Sequence, residues 1–543
     1  FYVISFSQQN YCFKLLNDDS LFIDYSFEIN NLGDPVISLI PNLGNNNLLL
    51  THSSKVIRKV DGDNIQISHS DSIYSSVFYQ SAYSTGGLLK TFINRPIGKY
   101  MRLNFSYENL RSEGFYNNQQ NKYGKGFVFI DYLNKNTPYN FSLSLVSLKG
   151  SYEQFGGVYY DPSIASDLLE TYLNNAVTNV NLRELNFSQN YILSSKLKLH
   201  HSLSISMFER DYVDSNPNSF YYSLTPLDFA ITDYSLNTFF NTFFNKFSVS
   251  NHYVNLGLSH NLYITNDITL NNIGDVVISL KSTDLFRENK NFNFNIEFCP
   301  IGYSKNNYLV DCSFYKKTNK FNHVFSLDYF FKKPNFYRKH YNTTYSWDWN
   351  ETLSSNKLFL KLKSIESKRK ITISMLFHRS SNFIYFNTLA SPVQLDTPLL
   401  YFNLNIQKEW GFSNFYFNSG VCMQYSNNDV LSIPHFLGYQ KINYKKKLFN
   451  SIRFKTTLTS YLISPYYSPS FFPLTDVFYQ QNSQKNQLKP IFIYDAHLYT
   501  KDFSCGLVFE HLTNFFLTEK YLISEYVISD PTVRVVVKWN FAD

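Results

Sequence analysis

No stretch of this 543-residue sequence approaches the roughly 18–20 consecutive apolar residues of a membrane-spanning helix, so crossing a bilayer by helices is excluded. Charge is scarce too, at 17% against roughly 25% in soluble domains. The net charge of +7 brings no basic cluster beyond Tyr444-Lys445-Lys446-Lys447, so nucleic acid is not an expected partner. Glycine (19) and proline (17) are too few for a soluble sandwich of many short strands and frequent turns. The five cysteines, Cys12, Cys299, Cys312, Cys422 and Cys505, form no CxxC pair, which argues against a zinc site or a disulfide framework. Cys299 and Cys312 could join across a hairpin, but all five serve equally as small apolar residues. HExxH, GxSxG, a Walker loop and a strand-to-helix GxGxxG are missing, so an enzyme is not expected, nor a catalytic, cofactor-binding or metal site. His200-His201 is the one adjacent histidine pair, and a strand would turn its rings to opposite faces.

Aromatic residues are what the sequence has in excess: 52 Phe and 44 Tyr bring the aromatic share to 18%. Such side chains suit pleated surfaces, and Tyr belongs where oil meets water. Their arrangement follows a period of two. Leu197, Leu199, Leu203, Ile205 and Met207 alternate with Lys196, Lys198, His200, Ser202, Ser204 and Ser206, and only His201 interrupts the apolar set. The pattern returns in Met101–Glu108, in Asn140–Leu145, in Lys370–His378 with Leu376 as the exception, and in Ile452–Thr459. A strand with this period has one greasy and one wet face. These runs match the roughly 9–11 residues of a tilted membrane strand better than the 5–6 of soluble strands.

Connections fall into two kinds. Lys135-Asn136-Thr137-Pro138 and Lys317-Thr318-Asn319-Lys320 read as tight turns, whereas 151–180, 211–225, 380–397 and 464–487 are long and polar. Long extracellular loops with short periplasmic turns are the asymmetry of a transmembrane antiparallel β-barrel. The fold expected is therefore all-β: one such barrel over residues 98–543, with about 18 strands in a range of 16–20. A mean hydropathy of −0.27 is compatible with it, because half of each strand faces a polar lumen. Residues 8–97 are less regular; they read as a periplasmic or lumenal segment or as first strands, without the size or glycine content of a full plug domain. Residues 1–7 read either as a signal-peptide remnant or as an ordinary strand.

Near the end of the sequence, Val533, Val535, Val537, Trp539 and Phe541 share one face, opposite Thr532, Arg534, Val536, Lys538 and Asn540. An open sheet edge in lipid would leave backbone groups unpaired, so a last strand must meet the first. This amphipathic, aromatic-ended strand resembles the β-signal presented to the barrel-assembly machinery, with Ala542 and Asp543 following the aromatic.

Four segments carry a family resemblance. Glu153-Gln154-Phe155-Gly156-Gly157-Val158 resembles a Gly-Gly loop of the putative porin family of Bacteroidota. Tyr466-Tyr467-Ser468-Pro469, Phe478-Tyr479-Gln480-Gln481 and Pro490-Ile491-Phe492-Ile493-Tyr494-Asp495 resemble its C-terminal elements, although Gln487-Leu488-Lys489-Pro490 stands where the family shows Gly-Asn-Tyr-Pro. The resemblance implies a bacterial outer-membrane channel for passive diffusion of small hydrophilic solutes. The rival expectation is a non-conducting barrel acting as scaffold or gate in an export or surface-assembly complex.

Cations recur on the polar face, at Lys196, Lys198, Lys357, Lys361, Lys363, Arg453, Lys455, Arg534 and Lys538, with His200 among them. As pore-lining residues they would bias the lumen toward anions; at strand ends they would instead snorkel toward lipid headgroups and lipopolysaccharide phosphates. Trp347-Asp348-Trp349 and Tyr159-Tyr160 read as girdle or loop-base aromatics.

Overall fold

The computed structural model describes most of residues 73–542, leaving aside 135, 162, 165, 195, 223–233, 266–272, 283–289, 335–339, 342–346, 349–352, 450, 484, 487–489 and 516–520, together with short pieces at 13–14, 26–28, 36–41 and 43. Alternating segments pair antiparallel with their sequence neighbours, and each added strand leaves a free edge until another covers it. The first wall is built by β1 (Tyr74–Ser81), β2 (Gly86–Ile97), β3 (Met101–Ser112), β4 (Asn121–Tyr132), β5 (Tyr139–Glu153), β6 (Ala176–Ile192) and β7 (Lys198–Asp214). It continues through β8 (Tyr234–Ser250), β9 (Val254–Thr265), β10 (Ile273–Ser282), β11 (Lys290–Gly302), β12 (Tyr308–Lys317), β13 (Phe321–Lys332), β14 (Ser355–Glu366) and β15 (Ile371–Ser380). The ring is completed by β16 (Leu399–Phe412), β17 (Phe415–Ser426), β18 (Phe436–Lys447), β19 (Arg453–Ile463), β20 (Ile491–Tyr499), β21 (Phe503–Glu510) and β22 (Thr532–Ala542). β22 returns to β1, with Val536 through Ala542 opposite Gln80 through Tyr74. The sheet is a closed barrel of 22 strands.

That number corrects the expected 18. Two strands, β1 and β2, lie before residue 98, where the barrel was expected to begin. Other pairs are joined so tightly that two strands pass for one: residues 413–414 link β16 to β17, and 251–253 link β8 to β9. Every connection at the rim where β22 ends is short, the longest being 283–289. In the turn at 318–320, the Phe321 backbone N–H donates to Thr318 Oγ1 (3.0 Å). The opposite rim carries 154–175, 215–233, 333–354, 381–398, 464–490 and 511–531.

Alternation assigns the faces. On β22, Trp539 is 51% exposed while Arg534 is fully buried, so the Val533–Phe541 face points outward. Leu89, Ile93, Phe105, Leu145, Met207, Leu256, Met423 and Leu462 continue this exposed apolar surface around the wall. A soluble monomer rarely carries a continuous apolar surface of such extent; on a closed barrel it is the lipid-contact band. Trp410, Phe412, Phe415, Phe503 and Trp539 collect toward the short-turn rim as an aromatic girdle. His201 also points outward. Its ring stacks on Phe247 (4.3 Å between centroids) and hydrogen-bonds Gln189 and Asn245.

Cys299, Cys312, Cys422 and Cys505 are free thiols; Cys312 stands opposite Phe294 rather than Cys299. Trp347-Asp348 pairs with His340-Tyr341 in the loop after β13. Cys12, residues 1–7, Trp349 and residues 487–489 lie outside the described residues. A charge on the outward face should weaken the barrel. Val535→Arg is expected to lower the unfolding free energy by about 2 kcal/mol or more, measured by urea titration of protein refolded into phospholipid vesicles.

Candidate functional site

The inner wall changes character along its height. Toward the short-turn rim, inward positions are polar: Lys198, His200, Ser202, Ser204 and Ser206 on β7, and Lys441, Asn443 and Lys445 on β18. Toward the long-loop rim the same faces carry Phe208 and Tyr212 on β7, and Leu437 and Tyr439 on β18, all buried. An apolar wall facing an empty aqueous lumen would be costly, and here the loops cover it.

Residues 464–490, between β19 and β20, cross the barrel. The guanidinium of Arg210, on β7 at the far side of the ring, donates to the carbonyl oxygens of Pro473 and Leu474, at 2.8 Å for the latter. Phe471 packs with the β17–β22 wall while its neighbour Phe472 packs with the β2–β9 wall, so the loop joins both. A one-turn helix, α1 (Ser219–Tyr222), braces this crossing. The Tyr221 hydroxyl donates to the Phe471 carbonyl (3.3 Å), and the Tyr222 hydroxyl donates to Asp214 Oδ2 (2.7 Å). Burial, with Tyr212 and Asp214 alongside, holds the Tyr222 phenol well above its ordinary range.

Three more connections complete the cover, 113–120, 154–175 and 511–531. The Ser524 N–H donates to the Pro469 carbonyl (3.1 Å), and the Tyr116 hydroxyl to the Val527 carbonyl (3.1 Å). The Val158 N–H donates to the Glu525 carbonyl (3.0 Å). This last approach requires the Gly156-Gly157 pair. Gly157 has φ +100°, and a Cβ there would stand 2.7 Å from the Glu525 oxygen. Burial raises the Glu525 carboxyl above its usual range. The Tyr172 phenol is pushed up to about 12, by burial first and by Glu525 second.

Part of the segment before the barrel also lies inside. Gln424 Nε2 donates to the Leu39 carbonyl (2.9 Å), and Lys357 Nζ to the Leu43 carbonyl (3.1 Å). Leu43 packs with Phe359, Leu376 and Tyr401. Leu376, the exception in its alternating run, is thus an apolar inward residue with an apolar partner.

The seam between β22 and β1 carries a latch. Arg534 on β22 is ion-paired to Glu510 on β21, both side chains fully buried. Tyr83, in the turn after β1, lies 4.9 Å below the guanidinium and donates its hydroxyl to Glu510 Oε2 (3.1 Å).

The expected pore-lining residues are spread around the ring rather than gathered. Lys196 is exposed in the turn before β7, and Lys198 and Arg453 are exposed at strand starts on the same rim. His200 faces inward, its Nδ1 2.8 Å from Asn190 Oδ1. Lys361 faces inward against Asp328, and Lys455 stands opposite Lys445 on one side and His497 on the other. Lys538 faces inward, half-buried, while Arg534 is consumed by its latch. Of the expected assembly signal, Val533, Val535, Trp539 and Phe541 are exposed outward and Val537 is half-buried among them. Arg210, Gln424, the carbonyl partner of Lys357 and the role of Gly157 escape a reading by alternation alone. Their trace is doubly apolar stretches such as Phe127-Val128-Phe129-Ile130 and Ile491-Phe492-Ile493, where the inward face is greasy as well.

Residues 8–543 match the family described as "Putative porin". The chain belongs to that family. No curated protein matches its sequence. Among solved structures, this porin-family barrel is similar to the closed form of Fiu, the ferric-catecholate import receptor from E. coli K12, with TM-score 0.63 and 9% identity over 88% of this chain and 82% of that one. It is similar to the copper transporter OprC, with TM-score 0.65 and 8% identity over 88% and 82% of the two chains. The siderophore receptor PirA from Acinetobacter baumannii gives TM-score 0.61 and 9% identity over the same shares. At such identities the likeness shows the fold. Family and fold together place the chain in the bacterial outer membrane as a barrel of the transport type.

The latch gives a stability prediction. Arg534→Leu leaves Glu510 buried without its counter-charge and is expected to cost about 3–5 kcal/mol. In the same urea titration, the double variant Arg534→Leu/Glu510→Leu should recover much of that loss.

Proposed function

We propose that this barrel is a gated conduit for small hydrophilic solutes, with a bias toward anions, closed at rest by its own loops. The observation that carries the reading is the 464–490 loop, bonded to Arg210 on the far wall. A wall that was meant to stay open would have no use for inward apolar surface at Phe208, Tyr212 and Tyr439. Family membership supports solute passage rather than a purely structural barrel. The long-loop rim is read as extracellular and the short-turn rim as periplasmic, following the asymmetry of such barrels.

Charge supports the anion bias. Several inward carboxylates are taken up in ion pairs: Glu108 with Lys90, Asp131 with Arg102, Glu297 with Lys281 and Asp328 with Lys361. Lys198, Lys441, Lys445, Lys455 and Lys538 add positive charge to the wetter half of the wall. In a confined lumen that excess favours anion entry.

In planar bilayers the wild-type protein should be mostly closed, and Arg210→Ala should raise its open probability severalfold. Reversal potentials across a salt gradient should then report anion preference. A folded Arg210→Ala barrel as silent as the wild type would instead favour the scaffold reading.

Acidity should act on the same closure. The Glu525 carboxyl is raised above its ordinary value of 4.5, so the closed loops bind a proton that released loops give up. This contribution is present in acid and is lost as pH rises through the raised value. Openings should therefore be more frequent at neutral than at acid pH, and Glu525→Gln should flatten the dependence.

A further inference from the structure

The outer face of the barrel, above the apolar band, holds a groove of about 740 Å³ across β3 to β7. Outward positions of these strands are greasy toward the short-turn rim, with Phe105, Leu145 and Met207 exposed, and become polar toward the long loops. Arg111, Lys122 and Lys149 enter the groove from three adjacent strands, and Glu209 and Asp211 close its other side. Arg111 and Lys122 are direct cross-strand partners on the same face. Like charges so placed repel. Glu113 lies 3.8 Å from Arg111 in a largely exposed pair, and among the described residues Lys122 and Lys149 form no ion pair. The floor is Gly124, paired with Lys149, where an added Cβ would touch only the Tyr107 hydroxyl (3.7 Å) and the Asn109 amide (3.9 Å). Two residues nearer the lipid band stands Gly126, where an added Cβ would meet nothing within 4 Å.

We propose that this groove binds the phosphorylated headgroup of an outer-leaflet glycolipid. A hollow that opens sideways, at the upper edge of a lipid-facing band, is reached from the plane of the membrane and not from the lumen. An amphiphile fits both parts: phosphates relieve the Arg111–Lys122 repulsion and engage Lys149, sugar hydroxyls meet Asn179, Asn181 and Asp211, and acyl chains lie on the greasy surface below. The leaflet, though not the phosphate chemistry, rests on the extracellular assignment of the long loops.

The test uses the full-length protein in neutral detergent, titrated with diphosphoryl lipid A and, separately, with phosphatidylglycerol, and read by native mass spectrometry. Lipid A should bind saturably and more tightly than phosphatidylglycerol. Lys122→Gln/Lys149→Gln should weaken it by about tenfold or more, while Lys122→Arg/Lys149→Arg should retain it, with heat-modifiable gel mobility showing that all are folded. Equal binding by wild type and the Gln variant, or equal affinity for phosphatidylglycerol, overturns the proposal. Labelling Asp161→Cys in the long 154–175 loop with an impermeant maleimide on intact cells separates the two readings. A labelled loop with no lipid A selectivity overturns the groove alone; an unlabelled loop overturns the orientation and with it the leaflet.

Discussion

In a hydrocarbon environment no backbone N–H or C=O can be left without a partner, and the closure of β22 onto β1 is where this barrel meets that demand. Every other strand has neighbours supplied by the sequence on either side. The seam alone joins strands from opposite ends of the sheet. Its reinforcement is correspondingly heavy: apolar side chains outside, hydrogen-bonded ladder between, and the Arg534–Glu510–Tyr83 latch inside. A guanidinium and a carboxylate removed from water repay desolvation only when their remaining donors and acceptors are also met, which makes the latch a device for register as much as for stability.

Closure creates a lumen with two surfaces. The short-turn half is wet and carries cations, while the long-loop half is apolar and would be unstable if bare. The described residues of loops 154–175, 464–490 and 511–531 satisfy it by folding inward, and the piece around Leu39 and Leu43 does so along β14 to β17. The similar receptors and transporter share the wall; the way this chain covers its interior is written in its own loops.

How much of this could be seen in the sequence follows from what alternation encodes. Period two reveals that a strand has two faces and which one is greasy, so the barrel and the outward face of Val533–Phe541 were legible. It does not count strands where Ser413-Asn414 is the whole turn, and it gave no weight to β1 and β2 ahead of the regular region. Nor does it distinguish an inward lysine at an open rim, such as Lys198, from one bonded to a carbonyl, such as Lys357. The regions that carry the family resemblance turn out to build the closure: Phe155, Gly157, Tyr466 and Tyr479 all lie in the packed loops. Their shared packing depends on residues hundreds of positions apart, such as Gly157 and Glu525, which local patterning does not join.

The bond between Arg210 and the Leu474 carbonyl spans 264 positions of sequence. Contacts of such separation are costly until the intervening chain is ordered, because the entropy of closing so long a loop opposes them. Here the intervening chain is twelve strands of the wall, and the two groups come within reach only when that wall has curved round to face itself. The crossing loop therefore reports on circumference: a ring one hairpin short or long would present the carbonyls to the wrong strand. A feature that closes the lumen in the finished protein also acts, during assembly, as a gauge of whether the barrel has the right girth.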